Sequence, residues 1–229
     1  MQRLFDIVIS AGAIVFLSPL LLAVILALRL TGEGEIFYAQ TRVGLHKREF
    51  KLLKFATMLR SSPSIGTGTV TLANDPRILP IGRILRKTKL NEIPQLFNVL
   101  RGDMSLIGPR PLTHQTFNMY PDVAKDVIAS VAPGLSGVGS IVFRNEEKIL
   151  TDSDQALDTY QNVISPYKAE LECWFAKNKS FSLYLKSIFA TIYIVLMDNE
   201  SATWKLFPEI PAPPEALKKI LGYKSQVQT

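Results

Sequence analysis

Cysteine and histidine are almost absent from this chain of 229 residues, which has one cysteine (Cys173) and two histidines (His46 and His114). A single cysteine excludes an intramolecular disulfide framework and a cysteine-rich zinc site. Two histidines exclude a histidine-rich metal site. Charged residues make up 20% of the chain and hydrophobic residues 47%, which excludes an intrinsically disordered protein. Lysine and arginine nevertheless exceed aspartate and glutamate by 26 to 20, so we expect apolar and basic segments to be separate.

The apolar excess is concentrated near the N-terminus, where 18 of the 22 residues of Ile7–Leu28 are hydrophobic and none is charged. As a helix this run is roughly 33 Å long, which is enough for a hydrocarbon core of about 30 Å. The length therefore favours a membrane-spanning helix. A cleaved signal peptide is less favoured, because no small-residue cleavage site precedes Arg29.

Ser18-Pro19 near the middle of this run predicts a second arrangement. Proline cannot donate the backbone hydrogen bond to Val15 and clashes with the preceding turn. The Ser18 hydroxyl or a neighbouring element would have to satisfy that carbonyl in lipid. A sharp break at this point would give a helix–break–helix that enters and leaves on one membrane face. The residues by themselves leave the spanning and re-entrant arrangements open.

Positive charge is concentrated directly after the apolar run, in Arg42–Arg60 and Arg77–Arg101. Lysine and arginine beside a membrane segment mark its cytoplasmic side and attract anionic phospholipid headgroups. A solvated charged face is the plainer alternative for any single lysine. No nucleic-acid recognition motif accompanies the charge, so we expect no nucleic-acid partner.

The remaining pattern predicts a mixed fold. Ile36–Arg42 and Glu49–Phe55 are rich in strand-forming residues around Gly44–Lys47, which predicts a β-hairpin. Ser61–Thr71 is a loop whose glycines match no phosphate-binding motif. Helix-like spacing predicts four further segments: Ile81–Leu100 with Pro94 as a start or kink, Pro121–Val131, Asp154–Lys177 and Ser180–Met197. The second of these is amphipathic, and the last is either a core helix or a helix in the membrane interface.

Lys87–Pro111 carries a specific motif, KTKLNEIPQLFNVLRGDMSLIGPRP. Together with Arg42–Gly44 (RVG), Lys54–Met58 (KFATM) and Asn74–Thr88 (NDPRILPIGRILRKT), it resembles the bacterial sugar transferase family. Members of that family are monotopic phosphoglycosyl transferases, and the resemblance covers most of the chain. The GDMSLIGPRP string with EIPQL upstream is far more specific than a lone glycine motif.

The resemblance implies an α+β, mainly helical, monotopic membrane protein with a re-entrant N-terminal helix, a small hairpin and interfacial amphipathic helices. The expected boundaries are a membrane helix over 1–34, a transferase domain over 35–200 and a peripheral tail over 201–229. The implied location is the cytoplasmic face of the bacterial inner membrane, among membrane phospholipids. The implied reaction moves a sugar 1-phosphate from a UDP-sugar to polyprenyl (undecaprenyl) phosphate, requires Mg²⁺, and initiates surface glycan synthesis. The sugar is not specified, and a homo-oligomer is left open.

The resemblance also implies roles for individual residues. The family has an Asp-Glu pair, in which the aspartate attacks phosphorus and the glutamate binds the metal, where this chain has Asn91 and Glu92. Glu92 is therefore the expected Mg²⁺ ligand, whereas the carboxamide of Asn91 is a poor nucleophile. Asp103, inside GDMS, is a third candidate catalytic residue. Three arginines are expected to contact substrate phosphates: Arg86, Arg110 and Arg144.

Four explanations of Asn91 stay open. The chain carries an engineered change, or it belongs to a natural branch that transfers the phosphoryl group directly. Alternatively, it uses another carboxylate (Glu92, Asp103 or Asp75), or it is a catalytically silent relative that binds lipid or nucleotide sugar or partners an active transferase. Ala56 also stands where the family usually has arginine, and this second departure favours a natural divergent member over a single engineered change.

Overall fold

One long helix, α1 (Gln2–Leu30), opens the computed structural model of the chain, which describes residues 1–31, 33–64, 75–146, 156–199 and 201–223. Of the described helices, only α1 is long and apolar enough to cross a membrane. Pro19 lies inside this helix, which is continuous from Gln2 to Leu30, and a bend of its axis at Ser18-Pro19 stays a prediction. The Ser18 hydroxyl donates to the Val15 carbonyl at 2.8 Å, which is one of the two predicted ways of replacing the bond that proline cannot make. The re-entrant path of α1 stays a prediction.

Both ends of α1 are held by the rest of the protein. Near its N-terminus the buried carboxylate of Asp6 accepts hydrogen bonds from the Leu106 N–H at 2.9 Å and the Tyr184 hydroxyl at 2.8 Å. Its C-terminal half contributes Leu21, Val24 and Leu28 to an apolar cluster with Phe55 and Leu85. Many other apolar side chains of α1 stay exposed, among them Leu4, Val8, Val15, Phe16, Leu22 and Leu26.

The predicted β-hairpin is confirmed. Strands β1 (Phe37–Val43) and β2 (Glu49–Phe55) pair antiparallel, with Phe37 opposite Phe55 and Val43 opposite Glu49. The turn between them contains a short 3₁₀ segment, Leu45–Lys47. Most of the predicted loop over Ser61–Thr71 lies outside the described residues, as do Asn74, Asp154 and Gln155.

The helical segment predicted over Ile81–Leu100 is divided into three parts. Helix α2 (Pro80–Lys87) is followed by a 3₁₀ turn (Leu90–Glu92) and then α3 (Gln95–Arg101). Lys89 has the left-handed backbone conformation, with φ 59° and ψ 10°, and it separates the first two parts. Pro94 immediately precedes α3, which confirms the predicted helix start.

A second, two-stranded sheet follows. Strand β3 (Ser105–Ile107) pairs in parallel with β4 (Gly134–Ser136). Three short helices lie near it in the sequence: α4 (His114–Asn118), α5 (Asp122–Ala129) and α6 (Val138–Val142). Helix α5 corresponds to the amphipathic helix predicted over Pro121–Val131.

The C-terminal part is helical and supplies much of the core. It contains α7 (Ala156–Thr159), a π-helical turn (Tyr160–Ile164), α8 (Ser165–Lys177), α9 (Phe181–Met197), α10 (Ala202–Leu206) and α11 (Glu215–Lys218). In α9, Tyr184 and Ile194 are buried in the main core, whereas Phe189 and Leu196 are exposed. The helix thus combines a core face with an exposed apolar face. In the described part of the expected tail, Phe207 is also buried in the main core. The fold is α+β and mainly helical, as predicted.

Candidate functional site

A cavity of about 450 Å³ lies between the hairpin, the segment from α2 to α3, the loop after β3, the π-helical turn and α8. Its described wall is rich in charge of both signs, with cations in excess. Four glutamates line it: Glu33, Glu35, Glu92 and Glu146. Seven cationic side chains line it: Arg42, Lys54, Arg60, Arg86, Lys89, Arg110 and Lys168.

The hairpin places two of these cations, Arg42 and Lys54. Side chains two residues apart lie on one face of a strand, so Tyr38, Gln40 and Arg42 all line the cavity. Lys54 is opposite Tyr38 in the register and therefore shares that face. Arg42 Nη1 donates to the Pro111 carbonyl at 3.0 Å, which ties the hairpin to the loop after β3. Neither cation was predicted to be a site residue, although the alternation in β1 is a signal that identifies this face.

Glu92 lies among the cations. Its Oε1 is 3.9 Å from Arg110 Nη2 and 4.0 Å from Lys54 Nζ. Burial by itself would raise the pKa of Glu92, but Arg110, Lys54, Lys89 and Arg86 outweigh it, so the pKa is lowered. Glu92 therefore stays ionised and only weakly basic at neutral pH.

Lys54 has a lowered pKa in the cavity. Burial lowers the pKa of Lys54 to about 7, and Arg42, Arg110 and Arg86 act in the same direction against the opposing effect of Glu92. A further negative charge close to Lys54 would favour the protonated form of the lysine. Binding of an anionic ligand is thus expected to raise the pKa of Lys54, so that the lysine is protonated and adds positive charge to the site.

Asn91 precedes Glu92 in the 3₁₀ turn and also lines the cavity. Its side chain is buried, and its Oδ1 has no hydrogen-bond partner among the described residues. The described residues contain no cluster of three or more metal-ligating side chains. Mg²⁺ is commonly bound by one or two protein oxygens together with substrate phosphates, so Glu92 and the Asn91 carboxamide oxygen fit such a site.

The loop that carries Arg110 is fixed from both sides. Gly108 N–H donates to the Ser136 carbonyl at 2.9 Å, next to the parallel β3–β4 pair. The Arg110 backbone N–H donates to Glu172 Oε1 at 3.1 Å. Burial raises the pKa of Glu172 to about 7, although this backbone bond and Lys168 favour the charged form. Lys168 itself pairs with Glu146 at 2.9 Å.

Four of the predicted site residues meet in this cavity: Arg86, Asn91, Glu92 and Arg110. Two others are elsewhere among the described residues. Asp103 accepts a hydrogen bond from Asn98 Nδ2 at 3.0 Å, and Arg144 donates to the Ile194 carbonyl at 2.8 Å. Asp75 forms an ion pair with Arg77 and does not line the cavity. Of the three substitute carboxylates, only Glu92 therefore reaches the cavity, and the chemical roles of all these residues stay predictions.

Comparisons of this sequence with family models and with known proteins identify the same family. The model of the bacterial sugar transferase family matches residues 1–198. The chain is 37% identical over 164 residues to the exopolysaccharide production protein ExoY of Sinorhizobium fredii, covering 66% of this chain and 72% of that protein.

Two further relatives are named for their substrates. The undecaprenyl-phosphate glucose phosphotransferase of Komagataeibacter xylinus is 34% identical over 83% of this chain and 35% of its own length. The undecaprenyl-phosphate galactose phosphotransferase of Salmonella typhimurium is 33% identical over 86% of this chain and 40% of its own length. This chain therefore corresponds to less than half of each of those two proteins. The match over residues 1–198 and the identity to ExoY show that the chain belongs to the bacterial sugar transferase family.

Proposed function

We propose that this chain transfers a sugar 1-phosphate from a UDP-sugar to polyprenyl phosphate and thereby initiates a surface glycan. The observation that carries the proposal is the cationic cavity around Glu92, whose wall includes Phe55, a residue that also packs against the apolar helix α1. A phosphate-binding cavity beside a membrane helix suits a reaction between one soluble and one lipid-borne phosphate. The names of the glucose and galactose phosphotransferases support the same class of reaction.

The charge of the cavity suits two phosphorylated substrates. Seven lysines and arginines against four glutamates leave a formal excess of three positive charges. A diphosphate carries about two negative charges, and a phosphate monoester carries about 1.5 to 2 at neutral pH. Preorganised cations of this kind stabilise the charge that develops during phosphoryl transfer. When bound by Glu92 and the Asn91 carboxamide, Mg²⁺ would supply further charge compensation.

Asn91 favours a direct displacement. In this step an oxygen of the acceptor phosphate attacks the phosphorus that bears the sugar, and the bond between this phosphorus and the bridging oxygen breaks. UMP leaves with that oxygen and the bonding electron pair. The acceptor oxygen is already anionic, so the step needs no general base. Asn91 forms no covalent bond to phosphorus in this scheme, and the low basicity of Glu92 makes it a weak nucleophile.

The same proposal places the cavity at the cytoplasmic face of the inner membrane. The apolar side chains of α1 that remain exposed would lie in lipid, and the basic segments would lie at the phospholipid headgroups. Because the Asp6 end and the Leu28 end of α1 both contact the same body, we propose that the helix re-enters on one face. A tag at the N-terminus should then be accessible from the cytoplasm, and accessibility only from outside would contradict this arrangement.

The decisive experiment measures UMP release from a panel of UDP-sugars with undecaprenyl phosphate in detergent. We expect Mg²⁺-dependent release by the native chain and strong loss in Glu92→Gln, with Glu49→Gln, an exposed glutamate of the hairpin, as the matched control. Direct displacement also predicts no exchange of labelled UMP into UDP-sugar when the lipid is omitted.

The rival function is that of a silent relative that binds lipid or nucleotide sugar, and the carboxamide at Asn91 is the observation that favours it. UMP release by Asn91→Asp but not by the native chain would establish this rival and overturn the proposed activity. Lipid-independent exchange by the native chain, with a phosphosugar adduct on Glu92, would overturn only the direct displacement.

A further inference from the structure

Four of the seven cations of the described cavity wall come from two separate parts of the fold. Arg42 and Arg110 are brought together by the hydrogen bond from the Arg42 guanidinium to the Pro111 carbonyl. Arg86 comes from α2, and Lys89 is the second residue after the end of α2. Glu92 is electrostatically coupled to Arg110 and Lys54 and also to Lys89 and Arg86. Glu92 therefore interacts with both cationic groups.

Among the described residues, the second group lies next to a residue that packs against the membrane helix. Leu85, next to Arg86 in α2, is buried in the cluster that contains Leu21, Val24 and Leu28 of α1. Ile84, on the same helix, leaves 63% of its surface exposed. A prenyl chain lying along α1 could therefore contact the exposed side chain of Ile84, two residues before Arg86 in α2. The hairpin contacts the same cluster through Phe55, but Arg42 lies near the other end of the hairpin, opposite Phe50, and is joined to the loop after β3.

The backbone at Lys89 is an independent sign that this lysine is there for its charge. Lys89 has φ 59°, in the left-handed region that glycine adopts readily and a long side chain rarely does. Glycine would suit the turn better, yet the position carries an exposed ammonium group that lines the cavity. Unfavourable backbone conformations of this kind are concentrated at functional sites.

We infer that Arg86 and Lys89 form the subsite for the phosphate of the lipid acceptor, separate from a donor subsite at Arg42 and Arg110 that holds the diphosphate of the nucleotide. The inference rests on the proposed function for the identity of the two ligands. It assigns the acceptor to the side of the cavity where a prenyl chain in the membrane can reach its phosphate. It also allows both substrates to be bound together beside Glu92.

Binding, rather than turnover, tests this assignment. Isothermal titration of the purified full chain in detergent micelles would use farnesyl phosphate as the acceptor probe and UMP as the donor probe. We expect Lys89→Gln to weaken farnesyl phosphate binding roughly five- to tenfold, as for one partly exposed charged contact, and to change UMP binding less than about twofold. Lys87→Gln is the matched control, because Lys87 is an exposed lysine that does not line the cavity.

A second variant separates binding from folding. Lys89→Gly should weaken farnesyl phosphate binding equally while raising the thermal midpoint by about 2–4 °C, because the left-handed backbone is relieved. Farnesol, which lacks the phosphate, should bind the native chain and both Lys89 variants equally. Inorganic phosphate should not reproduce the selectivity for Lys89, because it can occupy either subsite.

The inference is overturned if Lys89→Gln weakens UMP binding as much as farnesyl phosphate binding, or if Lys87→Gln has the same effect. It is also overturned if farnesol binding falls in parallel, since the contact would then be to the chain and not to the phosphate. The native chain could also release no UMP, while Lys89→Gln selectively weakens farnesyl phosphate binding. That pair of results would support the subsite and overturn only the proposed transferase activity.

Discussion

Replacing Asp6 by alanine should loosen the N-terminal end of α1 from the body of the protein. Asp6 is only 3% exposed, and its carboxylate accepts hydrogen bonds from three groups. These are the Ser105 hydroxyl at 2.9 and 3.0 Å to the two oxygens, the Leu106 N–H at 2.9 Å and the Tyr184 hydroxyl at 2.8 Å. The substitution leaves all three donors without this acceptor in a buried position.

The expected magnitude follows from those contacts. A hydrogen bond to a charged group contributes about 1.5–3 kcal/mol, but the three share one carboxylate and do not add. Removing the carboxylate also removes the cost of burying it, so we expect a net loss of about 2–4 kcal/mol in the free energy of unfolding. For a chain of this size that is a fall of roughly 5–15 °C in the thermal midpoint. Asp6→Asn keeps one acceptor oxygen and should lose about 1 kcal/mol.

Thermal unfolding of the full chain in detergent micelles, followed by tryptophan fluorescence, measures this difference. Asp126→Asn is the matched control, because Asp126 pairs with Lys47 at an exposed site and its loss should leave the midpoint unchanged. Equal midpoints for native and Asp6→Ala protein would refute the structural role of Asp6. Equal losses in Asp6→Ala and Asp126→Asn would refute the assignment of the effect to buried hydrogen bonds.

Three further predictions concern other parts of the fold. Burial raises the pKa of Glu172 to about 7, so ionising this carboxyl costs more in the folded than in the unfolded chain. The free energy of unfolding should therefore fall by about 3 kcal/mol as pH rises from about 4.5 through 7. In Glu172→Gln, the difference between the thermal midpoints at pH 5 and pH 8 should be smaller. Ser18→Ala should lower the free energy of unfolding in micelles by about 1 kcal/mol, because it leaves the Val15 carbonyl unpaired. Adding Pro19→Ala should recover that stability, because residue 19 then supplies the missing N–H donor. Gly108→Ala should lower the midpoint by the equivalent of about 1–3 kcal/mol, because a Cβ would lie 2.3 Å from a backbone carbonyl. Gly12→Ala, which meets no atom within 4 Å, should be neutral or stabilising, and equal losses at the two glycines would contradict the packing explanation.

Local patterns predicted the elements whose contacts are close in sequence. The hairpin followed from strand-forming residues on both sides of Gly44–Lys47, and the start of α3 followed from Pro94. The hydrogen bond from the Ser18 hydroxyl to the Val15 carbonyl was one of two possibilities left open by the sequence, because a serine three residues away can satisfy the carbonyl that proline leaves free. Which of the two is realised depends on a side-chain rotamer, and the bend of α1 at this point stays a prediction.

The site was predictable only in part, for a related reason. The motif placed Arg86, Asn91 and Glu92 close together, because they lie within one short stretch of chain. It gave no indication that Arg144 would contact the Ile194 carbonyl, because that contact depends on how α9 packs. Lys54 and Arg110 meet across 56 positions of sequence, so only the packed hairpin brings their side chains to Glu92.

The scarcity of cysteine and histidine already excluded a disulfide framework and a histidine-rich metal site, and the apolar run with the basic segments after it predicted a membrane protein. Those properties depend on composition and on spacing along the chain, so the sequence by itself determined them, whereas phosphate binding was implied by the resemblance to the family. The tertiary structure decided which cations share one cavity, which of them adjoin α1, and that Asp103 and Arg144 do not line the described cavity. Distances between side chains from different elements depend on how those elements pack, and therefore only the folded chain determines them.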